Sequence, residues 1–354
     1  MRSPLRAAAA LIALSLTTMP LALSQTTLLA LSKHDHTLSV IDPTTLHVLY
    51  KLPVGPDPHE VIASTDGTTA YVSNYGGGAF HTLAVLDLIH HQALPSIDLG
   101  PLGGPHGLAF ADGKLYFTSE IAKAIGRYDP STQKIDWILG TSQNRIHMVY
   151  VSPDAQQIIA TNPNAATATL AAIEPLPQQG PPPGMHPPAN MPPPPPTARK
   201  DWNEVQIPVG HGAEGFDLSP NQKEIWVANA QDGTVSVVDV AAKKVVATLE
   251  ANVRGANRLK FTPNGRLVLI SSLGGSDLAV LDASTRREVQ RVKLGGGAAG
   301  IQMDPNGPRA FVACTQNSYV AVIDLKTLTV TGRIDAGKEP DGLAWVGGAG
   351  GQTQ

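Results

Sequence analysis

Seven short motifs recur along the chain with a polar or small residue at one equivalent place: Pro58-His59, Pro105-His106, Ile146-His147, Ala213-Glu214, Ala256-Asn257, Ala298-Ala299 and Pro340-Asp341. His59, His106, His147 and Glu214 fall in four consecutive motifs. Imidazole nitrogens and a carboxylate suit Zn²⁺ or a similar divalent ion, and an open position on such an ion would polarise a carbonyl or acidify a bound water. The plainer alternative is a structural polar ring whose side chains bond to neighbouring backbone, and on general frequency it is the commoner outcome. Arg145 and Arg258 flank two of these positions. They suit a carboxylate or phosphate ligand, while a salt bridge to Glu60 or Glu214 explains them as economically. The candidate ligand-binding set is therefore His59, His106, His147, Arg145, Glu214, Asn257, Arg258 and Asp341, with His59, His106, His147 and Glu214 as the metal subset. No residue is assigned a catalytic role.

These residues matter only if the chain brings them together, and the repeat predicts that it does. Between them lies a constant unit of four strand-like runs, seen in Ile225-Trp226-Val227-Ala228-Asn229 followed by Val235-Ser236-Val237-Val238-Asp239. From Leu29 to Asp42, Tyr116 to Asp129, Trp226 to Asp239, Leu269 to Asp282 and Phe311 to Asp324 the separation is 13 residues each time, which is a hairpin of fixed register. Tyr71 to Asp87 carries three more, around Gly76-Gly77-Gly78. The motifs themselves recur at 41 to 47 residues, except for 67 between His147 and Glu214. That excess coincides with 175–200, rich in consecutive prolines that have no amide to give a ladder; it reads as an insertion between the third and fourth strands of one unit.

Four strands about every 42 residues predict an all-β fold, a seven-bladed β-propeller of four-stranded antiparallel blades. The segment after residue 25 holds three strands without a first one, and the C-terminus holds a first strand, Gly342-Leu343-Ala344-Trp345-Val346, without successors. Pairing the N- and C-terminal strands would close the ring and remove sheet edges. The propeller then spans 25–346, followed by a flexible tail over 347–354. Direction reverses at each turn, so the starts of the first strands and the loops between second and third strands share one mouth. Those loops add Lys33-His34-Asp35-His36, Asn74-Tyr75, Glu120, Asn162, Asn229, Asp232 and Gln316-Asn317 to it, with His211 nearby.

The 354 residues carry a formal net charge of −3, which gives no reason to expect a nucleic-acid partner. Arg2 and Arg6, the apolar run from Ala7, and Ala22-Leu23-Ser24 read as a signal peptide over 1–24, so export to the periplasm or beyond is expected. The apolar run is shorter than the roughly 20 residues that cross a bilayer, and no membrane span is expected after processing. Cys314 is the only cysteine, which excludes an internal disulfide and a haem attached through Cys-x-x-Cys-His.

Tyr71-Val72-Ser73-Asn74, Trp226-Val227-Ala228-Asn229 with Asp232-Gly233-Thr234, and the Ser152-Pro153-Asp154 and Ser219-Pro220-Asn221 turns resemble the YVTN-repeat propellers, related in fold to lactonase-type propellers and to virginiamycin B lyase. The resemblance covers nearly the whole chain beyond residue 24, implies the fold, and transfers no catalytic motif. The expected function is a ligand-binding or protein-interaction module, a monomer taking an unidentified small molecule or protein at the channel mouth. The alternative from another class is a metal-assisted lactone hydrolase or lyase in which the three histidines and Glu214 hold a divalent ion. A third reading is an accessory to a redox system whose partner carries the cofactor.

Overall fold

Alternation along the strands dictates how the sheets pack. In Thr27–Ser32, Leu29 and Leu31 enter one apolar cluster while Leu28 and Ala30 enter another; in Glu224–Asn229, Trp226 and Ala228 separate from Ile225 and Val227 in the same way. A strand buried on both faces needs a covering sheet on each side. The computed structural model, which describes residues 26–175 and 200–347, supplies it: seven four-stranded antiparallel sheets form a seven-bladed propeller. Seven apolar clusters each join two adjacent sheets, one cluster per sheet boundary around the ring. The expectations for residues 1–24, the interior of the insertion and the end of the tail lie outside the described residues. Among the described residues no helix is long and apolar enough to cross a membrane.

Closure follows the expected route. Pro340–Val346 is the inner strand of sheet 1 and pairs antiparallel with Thr27–Ser32, ahead of Thr37–Ile41 and Val48–Pro53. Sheets 2 to 7 follow in chain order. The hairpin register repeats, with Glu224 opposite Asp239, Leu267 opposite Asp282 and Arg309 opposite Asp324. In sheet 2 Thr69 faces Asp87, and the extra residues form a 3₁₀ turn at Gly76–Gly78. In sheet 4 the third and fourth strands, Thr167–Pro175 and Lys200–Pro208, flank the insertion. The aspartates closing the third strands accept backbone amides of the next turn, as at Thr44, Ser131, Thr285 and Thr327, which gives them a structural role.

Two sequence features set the inner strands against one another. Hydroxyls on the second strands reach the next sheet at the level of the motif residues: Thr118 Oγ1 donates to His147 O and Thr161 Oγ1 to Glu214 O, both at 2.7 Å, and Ser271 Oγ to Ala299 O. A glycine follows the motif residue in four sheets, and its Cα lies against the same carbonyl of the next sheet. A Cβ on Gly107, Gly215, Gly300 or Gly342 would sit 2.3 to 2.5 Å from the carbonyl oxygen of His147, Asn257, Asp341 or His59. Gly107→Ala is therefore expected to cost about 1–3 kcal/mol by forcing sheets 3 and 4 apart, read as a lower urea midpoint with an unchanged slope. An unchanged midpoint would show that the inner strands separate freely.

Candidate functional site

The propeller brings the motif residues to one mouth in ring order. Asp341, His59, His106, His147 and Glu214 form a continuous arc: His59 Nδ1 is 3.5 Å from Asp341 Oδ2, the His59 and His106 ring centroids are 4.9 Å apart, those of His106 and His147 3.7 Å, and His147 Nε2 is 3.1 Å from Glu214 Oε1. His106 and His147 are 3% and 1% exposed, so this part of the mouth is desolvated. His147 precedes its short inner strand, Val149–Val151, rather than beginning it.

The loops between second and third strands complete the arc, as their placement in the repeat predicts for Lys33, Tyr75 and Glu120. Glu120 Oε1 lies 2.7 Å from His147 Nδ1 and accepts from Arg145 Nε at 3.2 Å, while Glu120 Oε2 accepts the Tyr75 hydroxyl at 2.6 Å. His59 Nε2 lies 2.9 Å from Lys33 Nζ and 3.2 Å from Asp57 Oδ1, so accepting from the ammonium and donating to the carboxylate are alternative states of one nitrogen. Lys33 is also 3.5 Å from both Asp57 and Asp341.

Adjacent imidazoles are driven to opposite states. Burial alone would lower the pKa of His147, but the Glu214 charge and the Glu120 contact raise it to about 9. Burial, with His147 and His59 beside it, pushes His106 well below its ordinary value. Burial would raise the Glu120 and Glu214 carboxyls, and the His147 interaction brings both below their usual range. Burial, with Glu120 beside it, pushes Tyr75 up to about 12. At neutral pH His147 is an imidazolium between two carboxylates and His106 a neutral ring against its face. The His106 Nδ1 is buried without a hydrogen-bond partner; His147 Nε2 has only the Glu214 contact, which is off hydrogen-bond alignment.

Both candidate arginines are ion-paired with carboxylates. Arg145 meets Glu120 and, at 3.8 Å, Glu214. Arg258, in sheet 6, pairs with Glu60 of sheet 2 across the interior of the ring, and its Nη1 donates to Asn257 Oδ1 at 3.1 Å. Other loop residues turn away from the arc. Asn74, Asn162 and Asn229 bond to hydroxyls of their own third strands, His34 pairs with Asp35 in an exposed loop, and His211 pairs with Asp232. Cys314 is buried and its thiol is pushed up by burial.

The rings of His106 and His147 meet at an interplanar angle of 37°. Among the described residues no group of three or more His, Cys, Asp or Glu is arranged to hold a metal ion.

Residues 196–307 match the family described as the cytochrome D1 heme domain, a segment running from before the outer strand of sheet 4 to just past the inner strand of sheet 7. It contains Glu214, Asn257 and Arg258 but none of the three arc histidines. No curated protein matches the chain in sequence. Among solved structures it is similar to a functionally unknown protein from Desulfotomaculum acetoxidans DSM 771, with TM-score 0.70 and 12% identity over 91% of this chain and 99% of that one. A protein provisionally assigned as a 6-phosphogluconolactonase from Bacteroides uniformis ATCC 8492 aligns with TM-score 0.67 and 15% identity over 91% and 100%. The dihydro-heme d1 dehydrogenase NirN in complex with DHE aligns with TM-score 0.61 and 14% identity over 90% of this chain and 66% of its own. At such identities the likeness establishes the propeller and leaves the chemistry to the residues at the mouth.

Proposed function

We propose that the chain is a ligand-binding propeller whose mouth receives a small molecule rich in hydrogen-bond donors, an amine or a polyol. The observation that carries this reading is an imbalance of free groups. Lys33, Arg145 and Arg258 are each ion-paired with protein carboxylates, whereas Glu214 Oε2 and Asp341 Oδ1 accept no hydrogen bond among the described residues and His106 Nδ1 is a buried orphan. An N–H or O–H satisfies the two carboxylate oxygens, and His106 Nδ1 joins them as an acceptor in its Nε2–H tautomer; an anion meets Lys33, Arg145 and Arg258 already neutralised. Residues 1–24 support an exported protein working in the periplasm or outside the cell.

A thermal-shift panel of amines, polyols and carboxylates at pH 7 tests it. A donor-rich compound should raise Tm by several degrees at concentrations far above its Kd, and Glu214→Gln should remove most of that shift. Stabilisation by carboxylates alone, unchanged in the variant, overturns the reading.

A haem of the kind named by the matched family does not fit the mouth in this arrangement. Its carboxylates would need free cations where Lys33, Arg145 and Arg258 are taken, and the imidazoles lie outside the matched segment. The hydrolase reading retains the orphaned His106 nitrogen in its favour. It would need His147 to release a carboxylate before an ion could bind, and zinc titration followed by metal analysis separates it from the binding reading.

A further inference from the structure

Below the mouth, bounded by the Arg258–Glu60 pair, lies a cavity of about 160 Å³, a volume of the order that holds a benzene ring. Met148, Tyr150, Phe216, Ile301 and Leu343 supply apolar wall, and the exposed Pro220 and Gln222 line its outer end. Into this space faces Lys260, two residues beyond Arg258 on the same inner strand and so on the same face. Its side chain is 7% exposed. Its ammonium faces Asp217 in a loose ion pair, with Oδ1 3.8 Å away. Asp217 spends its oxygens on the backbone amides of Leu218 and Phe261.

A lysine desolvated beside a second cation is the arrangement that frees an amine to act as a nucleophile, and Arg258 stands two residues away on the same face. We propose that this cavity is a carbonyl-binding site, separate from the mouth, in which Lys260 captures a small ring-sized aldehyde as a reversible imine with Asp217 as the proton carrier. Burial pushes Lys260 down and Asp217 up, each against the pull of the other's charge. The nitrogen lone pair bonds to the carbonyl carbon while the oxygen takes the Asp217 proton. Asp217 then recovers a proton from nitrogen and delivers it to the hydroxyl, which leaves as water. The product is a protonated imine paired with the Asp217 carboxylate, with no oxidant or reductant consumed.

The test uses the full chain, benzaldehyde as probe, cyanoborohydride to trap the imine at pH 7, and peptide mass mapping. Lys260 should be labelled about tenfold or more faster than the exposed Lys293. Benzyl alcohol, which has the ring without the carbonyl, should protect Lys260 and leave Lys293 unchanged. Asp217→Asn should slow Lys260 labelling by a similar factor, and if that variant fails to fold the wild-type competition decides alone. Labelling of Lys260 no faster than Lys293, or labelling that benzyl alcohol does not slow, overturns the proposal. Neither result bears on the mouth, whose ligand is read by a different variant and a different probe.

Discussion

Deleting residues 340–354 is expected to abolish the cooperative native state. The deletion removes the inner strand of sheet 1 and, with it, the apolar contacts of Leu343 across the boundary with sheet 7 and of Ala344 and Val346 across that with sheet 2. Removing one buried leucine side chain alone costs about 2–5 kcal/mol, and a domain's whole stability is about 5–15 kcal/mol. The loss also bares the edge of Thr27–Ser32 and opens a ring in which every sheet depends on two neighbours. Thermal unfolding should change from a single sharp transition to a broad, low one, with aggregation through the exposed edge. A truncated chain that melts cooperatively within a few degrees of the parent would show that closure contributes little. Leu343→Asp, which keeps the backbone pairing but charges the boundary with sheet 7, should lower the midpoint strongly while leaving the strand count intact.

The blade count, the hairpin register and the closing strand were legible in the sequence because a repeat converts packing into spacing. Every blade solves the same problem, so Trp226 to Asp239 and Phe311 to Asp324 show the same interval. The arc of His59, His106, His147 and Glu214 followed from that register without any knowledge of side-chain direction. What did not follow was how the rings meet. Whether two neighbouring imidazoles converge on an ion or stack depends on rotamers and on the carboxylate each one finds, and Glu120 reaches His147 from a neighbouring sheet. The alternatives left open for Arg145 and Arg258 resolved toward carboxylate pairs for the same reason: Glu60 and Arg258 sit 198 positions apart and meet only across the ring. Asp57 and the Lys260–Asp217 pair were missed. The signal for Lys260 and Asp217 was present as charged residues on inner strands, where a strand facing only other sheets would carry none, whereas Asp57 precedes its inner strand and gave none. The glycines after His106, Glu214, Ala299 and Asp341 were a second unread signal, marking where inner strands come closest.

Stability should peak near pH 6.5 and fall on both sides, with each limb traceable to one buried imidazole. His147 titrates at about 9 in the fold against 6.5 in the unfolded chain, so the folded state holds its proton more tightly. A raised histidine contributes stability that is complete below the unfolded value and is lost progressively as pH rises from 6.5 to about 9, roughly 3 kcal/mol in all. His106 has the opposite sign. Its folded value lies well below 6.5, so below that pH the unfolded chain takes up a proton that the fold refuses, and stability falls by about 1.4 kcal/mol per pH unit. The carboxyls of Glu120 and Glu214 are held below their usual range by the same His147 contacts; their loss appears only at lower pH and is not an additional alkaline effect. Urea midpoints between pH 5.5 and 9 measure the profile. His147→Gln, which keeps a donor for Glu120 but cannot be protonated, should flatten the alkaline limb, and His106→Gln should flatten the acid one. A wild-type profile level from pH 6.5 to 9 would mean that His147 is not held as an imidazolium, and the pairing on which the free acceptors of the mouth were counted would have to be redrawn.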